Sequence, residues 1–222
     1  AKQNNPTDGT PIADFSASAG LPVAGLAAAA KNAKKAGAKY QITQGSKTWS
    51  TIYTDWANFK SGAAYVFTAD MDIDCDGIDY KCKGNGDGQK QTDYGALAAY
   101  QVPWVVVPES FVNKHSKDLP GNNLAAVICG DKMFYGIFGD SNGDSPEVIG
   151  EASWRMGTAC YPDGHISGAN GHGQPDVTYI IFSGKDAVLP STDMTKNYIT
   201  QFSKLKSMGD QLVSSLASNL KL

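Results

Sequence analysis

Carboxylates are the side chains of this sequence best placed to do chemistry, and they fall into two groups. Residues 69–88, ADMDIDCDGIDYKCKGNGDG, set Asp70, Asp72, Asp74 and Asp76 at every second position. Residues 136–154, GIFGDSNGDSPEVIGEASW, set Asp140 in a Gly-bounded turn behind an apolar run, and Glu151 at the head of EASWRMGTAC. Two facing carboxyl groups, one protonated and one ionised, can cleave a glycosidic bond, because the leaving oxygen needs a proton and the attacking water a base. Asp140 and Glu151 are the candidate pair. Each also has a plainer reading: turns are polar for backbone reasons, and EASWRMGTAC reads as a short helix whose positive end suits an acid.

On a strand from Tyr65 to Asp74, alternation would send Tyr65, Phe67, Ala69, Met71 and Ile73 to one face and Thr68, Asp70, Asp72 and Asp74 to the other. Such a row of like charges should face solvent or a cation. The spacing Asp72-x-Asp74-x-Asp76-Gly77 imitates the start of a calcium loop, but the twelfth position is Lys83 where a bidentate Glu is required. A positively charged substrate, concentrated by the field of an acidic cleft, suits the row better, with an exposed acidic edge as the plainer alternative. Other schemes have less support. There is no G-x-S-x-G elbow, His115 lies in the polar stretch NKHSKD that reads as surface loop, and His165 and His172 lie in a Gly-rich segment that reads as a long surface turn. GNGDG follows an acidic segment that would repel phosphate. No metal and no cofactor is expected.

The elements that must hold these groups are mostly strands. AAYVFTADMDI, WVVVP, LAAVICG, MFYGIFGD and VTYIIFSG are short β-branched and aromatic runs separated by Gly, Asp, Asn and Pro, the signature of a closed or nearly closed barrel. Residues 20–35, rich in Ala, Leu and Lys, predict a helix before the barrel. After it, Ile199, Phe202, Leu205, Met208, Leu212, Leu216 and Leu220 recur three or four apart, which predicts an amphipathic helix over about 192–220, weakened at Gly209. The barrel would span about 40–190, and the whole of 1–222 reads as a single domain.

The formal net charge is -3 and the sequence pI about 5.5, which argues against nucleic acid as a partner. No run is long and apolar enough to cross a membrane. Four cysteines, none in a CxxC pair and none at zinc-ligand spacing from a histidine, read as two disulfides, with Cys75–Cys82 and Cys129–Cys160 favoured among three possible connectivities. The opening AKQNNPTDG carries neither an initiator Met nor a signal-peptide core and reads as a processed start, so a secreted protein is expected.

Taken together, YVFTADMDIDCDG, DYGALAAYQVPWVVVPE, FYGIFGDSNG, VIGEASW and PDVTYIIFSG resemble, in order, the fungal chitosanases of glycoside hydrolase family 75. The resemblance implies a core similar to the six-stranded double-psi β-barrel with flanking helices packed outside it. It implies a secreted, endo-acting enzyme that cuts β-1,4 bonds between glucosamine units of chitosan with inversion, using the Asp of the GD turn and the Glu of the GEAS segment, here Asp140 and Glu151. Asp140 is assigned as acid and Glu151 as base. On that footing Asp70, Asp72 and Asp74 would pair with substrate ammonium groups, Tyr94 and Trp104 would stack on sugar faces, Trp154 would be core, and the enzyme would work as a monomer. The competing expectation is a noncatalytic wall-polysaccharide-binding protein on an expansin-like barrel.

Overall fold

The computed structural model describes residues 14–222; the segment read as a processed start lies outside the described residues. In chain order the elements are α1 (Val23–Lys31), β1 (Ala36–Gln41), β2 (Trp49–Tyr53), β3 (Ala64–Asp74), β4 (Trp104–Pro108), α2 (Glu109–Lys114), β5 (Leu124–Cys129), β6 (Lys132–Asn142), β7 (Glu151–Ser153), α3 (Trp154–Cys160), β8 (His172–Phe182) and α4 (Phe202–Leu220). The sheet runs β1-β2-β3-β7-β4-β6-β5-β8, and β3 pairs again with β8. That second pairing closes β3, β7, β4, β6, β5 and β8 into a six-stranded ring, from which the β1–β2 hairpin hangs. The fold is mainly β with helices outside the closed barrel, as expected. Two of the ring's pairings are parallel, β3 with β7 and β4 with β6.

All five apolar runs become ring strands. Every residue of β4 and β5 is buried, because the ring covers one face of each strand and flanking segments cover the other, which explains their unbroken apolar sequences. Phe67 stacks on Tyr179 inside this core, ring centroids 4.7 Å apart.

The helices differ from expectation at their ends. α1 stops at Lys31, and the Asp55 carboxylate accepts the backbone N–H groups of Lys34 and Lys35, turning the chain toward β1. α4 begins at Phe202 rather than near 192. Before it, the Thr195 hydroxyl accepts the N–H groups of Asn197 and Tyr198, a local turn that competes with helix. Gly209 does not interrupt α4. A Cβ there would lie 2.5 Å from the Tyr135 ring, so glycine lets the helix cross that ring closely, while the Tyr135 hydroxyl donates to Asp210 at 2.7 Å.

Both favoured disulfides form. Cys129–Cys160 ties the end of β5 to the end of α3 and so brackets β6 and β7, the strands of Asp140 and Glu151.

Candidate active site

Asp140 is an in-strand residue, not a turn residue, because β6 continues to Asn142 alongside β4. Its direction comes from a bulge. Val105 pairs with Phe138, but Val106 pairs with Asp140, leaving Gly139 as an extra residue on β6. Without that residue Asp140 would fall on the opposite face. Only glycine fits there, since a Cβ would lie 2.7 Å from the Trp104 Cβ.

Glu151 likewise does not start a helix; it opens β7. Ser153 is the N-cap of α3, its side chain accepting the Met156 N–H, so the helix begins three residues later than the sequence suggested. The two residues before Ser153 are drawn into the ladder between β3 and β4. Gly150 delivers Glu151 with φ of +105° and packs so tightly that a Cβ would lie 2.4 Å from Asp70 Oδ1.

These registers set one row across four strands. Asp72 pairs with Glu151; the Val105–Ala152 pairing places Val106 opposite Glu151; and Val106 pairs with Asp140. Val106 therefore separates the two acids. Adjacent strands lie about 4.8 Å apart, so the backbones carrying Asp140 and Glu151 are about 10 Å apart, with their side chains on the same side.

The row floors a cleft of ≈ 440 Å³ lined by Asp72, Asp74, Asp76, Asp87, Asp140, Asp144 and Glu151, with no Lys or Arg in the lining among the described residues. One carboxylate oxygen from each of Asp74, Asp76 and Asp140 lies within 4.8 Å of the others, a grouping that could hold a cation. Burial, joined by repulsion from neighbouring carboxylates at Asp76, Asp140 and Glu151, favours the protonated form of five of these groups. Burial first, then Asp74, pushes the Asp140 carboxyl up to about 8. Burial first, then Asp74, raises Glu151 well above its ordinary value. Burial also raises Asp72 and Asp74, and pushes Asp76 up to about 6.

Hydrogen bonds fix the pair. Asp140 Oδ1 accepts the N–H groups of Asp93 at 3.0 Å and Ser141 at 2.9 Å, which leaves Oδ2 free to carry a proton. Glu151 Oε2 accepts from Asn142 Nδ2 at 3.0 Å. Asn142, Asp144 and the 168–171 wall were not singled out from sequence; only the Asp-rich and Gly-rich character of their segments hinted at them.

Three expected substrate contacts fall elsewhere. Asp70 is only 3% exposed and does not line the cleft. Trp104 is fully buried, its indole N–H donating to Asp74 Oδ2 at 2.8 Å, so it orients a carboxylate instead of stacking on a sugar. Tyr94 packs edge-on to Phe138 with centroids 5.1 Å apart, outside the lining. Asp72 and Asp74 do line the cleft. Trp154 is half-buried, edge-on to Tyr100. His115 is not a loop residue on the surface: it closes α2, its ring packed against Phe111 and its Nδ1 3.0 Å from the Tyr65 hydroxyl. His172 starts β8, stacked on Tyr161 and paired with Asp176. A groove of ≈ 580 Å³ beside α4 is larger than the cleft, but it mixes Lys60 and Lys185 with Asp118 and Asp186, so its charges offset.

The sequence profile described as fungal chitosanase of glycosyl hydrolase group 75 matches residues 71–215. The chain belongs to this family. Among curated relatives, endo-chitosanase C of Aspergillus oryzae is 56% identical over 224 residues, covering 100% of this chain and 59% of that protein. An endo-chitosanase of Aspergillus oryzae (strain ATCC 42149 / RIB 40) is 37% identical over 180 residues, 71% of each chain. One from Aspergillus fumigatus is 34% identical over 177 residues, 70% of this chain and 74% of that one. The chain thus spans 59% of the length of the first of these chitosanases. The group 75 match contains Asp140, Glu151 and every carboxylate that lines the cleft, and it leaves out the β1–β2 hairpin.

Proposed function

We propose that this group 75 member is a secreted endo-chitosanase that hydrolyses β-1,4 bonds between glucosamine units with inversion, Asp140 acting as general acid and Glu151 as general base. The observation that carries the reading is the row Asp140–Val106–Glu151: two carboxylates on strands separated by one strand, facing the same cleft. Inverting enzymes hold their carboxyl groups about 6.5 to 9.5 Å apart so that a water fits on the far side of the sugar. The curated relatives' names support chitosan as substrate, and the two disulfides support an oxidising, extracellular setting.

The surroundings support these roles. Asp140 stays protonated up to about 8, and its Oδ2 is free to hand that proton to the glycosidic oxygen as the bond breaks. Glu151 must be ionised to take a proton from the attacking water. In the free cleft burial first, and then its neighbours Asp74 and Asp72, oppose ionisation; substrate ammonium groups bound there would offset the carboxylates and favour a charged Glu151, and Asn142 supports the carboxylate. After cleavage Asp140 is ionised and Glu151 protonated; exchange with solvent restores both.

The test is release of reducing ends from highly deacetylated chitosan by the wild type, Asp140→Asn and Glu151→Gln, each checked for native melting. Activity in the wild type and a loss of about 100- to 10 000-fold in each variant support the pair, and the α anomer as first product supports inversion. A wild type that binds chitosan without cutting it overturns the enzyme in favour of a wall-binding protein.

A further inference from the structure

The β1–β2 hairpin lies outside the family match but borders the cleft. The Gln41 carbonyl accepts the Ile149 N–H at 3.1 Å, and Gln41 bridges Val148, on the approach to Glu151. The Thr43 hydroxyl reaches Asp72 Oδ2 at 3.5 Å. Trp49 pairs directly with Gln41 across the hairpin. At 50% it is the most exposed large apolar side chain among the described residues.

Its face follows from register. Trp49, Thr51 and Tyr53 share one side of β2, and Tyr53 pairs with Val66 of β3. The side of β3 that includes Val66 continues, every second residue, to Asp72 and Asp74. The indole therefore stands on the cleft's side of the sheet, beyond its Asp72 end. Lys39 Nζ lies 5.5 Å from the ring centroid.

We infer that Trp49 is a stacking platform for a sugar ring of the polymer where it runs past Asp72, and that Lys39 makes this position favour a neutral, N-acetylated unit. The inference rests on the chitosanase reading. A flat, half-exposed indole beside a polysaccharide cleft offers the apolar C–H face of a pyranose a matching surface. A cation–π contact at an exposed site is weak, so the Lys39 head yields to a sugar ring. Its charge stays nearby and opposes a glucosamine ammonium, but not an acetamide. The acidic cleft has the reverse preference, so the two ends of the binding surface would read different units.

The test compares kcat/KM on partially acetylated polymer with kcat/KM on a fully deacetylated oligomer too short to pass Asp72. Trp49→Ala should lower the polymer-to-oligomer ratio about fivefold, chiefly through KM, and Trp49→Tyr should restore most of it. Ile78→Ala, which removes an exposed apolar residue elsewhere, should keep the wild-type ratio. Sequencing of the product ends should show fewer acetylated units at that position for Lys39→Gln. As a measurement independent of the Ala variant's folding, partially acetylated oligomers should quench tryptophan fluorescence in a Glu151→Gln background, with most of the quenching lost in Trp49→Tyr. If the wild type cuts and the ratio and the quenching survive loss of Trp49, the platform is overturned. Unchanged product ends in Lys39→Gln overturn the neutral-unit preference. A wild type that cuts no chitosan overturns the chitosanase reading and this one with it.

Discussion

Trp104 Nε1 donates to Asp74 Oδ2 at 2.8 Å, so the one polar atom of a fully buried indole is spent on a carboxylate of the cleft. Asp74 in turn is the leading charged neighbour of both Asp140 and Glu151. Trp104→Phe keeps most of the apolar packing but removes the donor and part of the ring. We expect a loss of about 2 to 4 kcal/mol in urea unfolding, and a fall in kcat/KM of about tenfold as Asp74 loses its fixed orientation. Activity equal to wild type would show that Asp74 needs no such anchor.

The dependence of stability on pH follows from the raised carboxyls. Asp70, Asp76 and Asp140 are pushed from 3.8 to about 7, about 6 and about 8, in each case chiefly by burial. The folded chain keeps these protons to higher pH than the unfolded chain. Their stabilisation is therefore complete below 3.8 and is lost as pH rises through the folded values. The melting temperature should fall between about pH 4 and about pH 8. Asp70→Asn keeps the shape while removing one group, so its melting temperature should match the wild type at the acid end and exceed it increasingly toward neutrality. Parallel curves would rule Asp70 out as a contributor.

Gly139→Ala tests the bulge. The new Cβ would press on the Trp104 Cβ and stand 3.0 Å from the Leu97 side chain. Stability should fall by about 1 to 3 kcal/mol, and activity should fall further than the folded fraction does, because relief of the clash re-aims Asp140. Activity that merely follows the folded fraction would separate the bulge from catalysis.

Asn142→Leu removes the amide that donates to Glu151. The carboxylate loses a stabilising bond, its proton affinity rises, and the acid limb of the pH–rate profile should move to higher pH. The rate on the plateau should drop by about 10- to 100-fold. An unmoved acid limb would assign that limb to another group.

The sequence displayed some of these parts and concealed others. The five apolar runs and both disulfides could be read from the sequence, and motifs singled out Asp140 and Glu151, which the registers place on one row of the cleft. β7 was hidden because three residues of strand run straight into a capped helix, so Glu-Ala-Ser looks like a helix start. β1 and β2 were hidden because a hairpin at the rim is half polar and shows little apolar alternation. The burial of Trp104 and Asp70 depends on what lies beside them in the closed ring. Trp104 is 30 residues from Asp74, and no local spacing betrays that meeting.

Val106 contributes only an apolar side chain to the cleft, yet the strand it belongs to fixes the distance between Asp140 and Glu151. Were β6 and β7 direct neighbours, their acids would sit about 5 Å apart, the separation at which one of them attacks the sugar itself and configuration is retained. With β4 between them, the proposed mechanism gives that attack to a water. On the proposed roles, the order of strands in this ring doubles as a stereochemical instruction, written in hydrogen-bond pairing rather than in the identity of either acid.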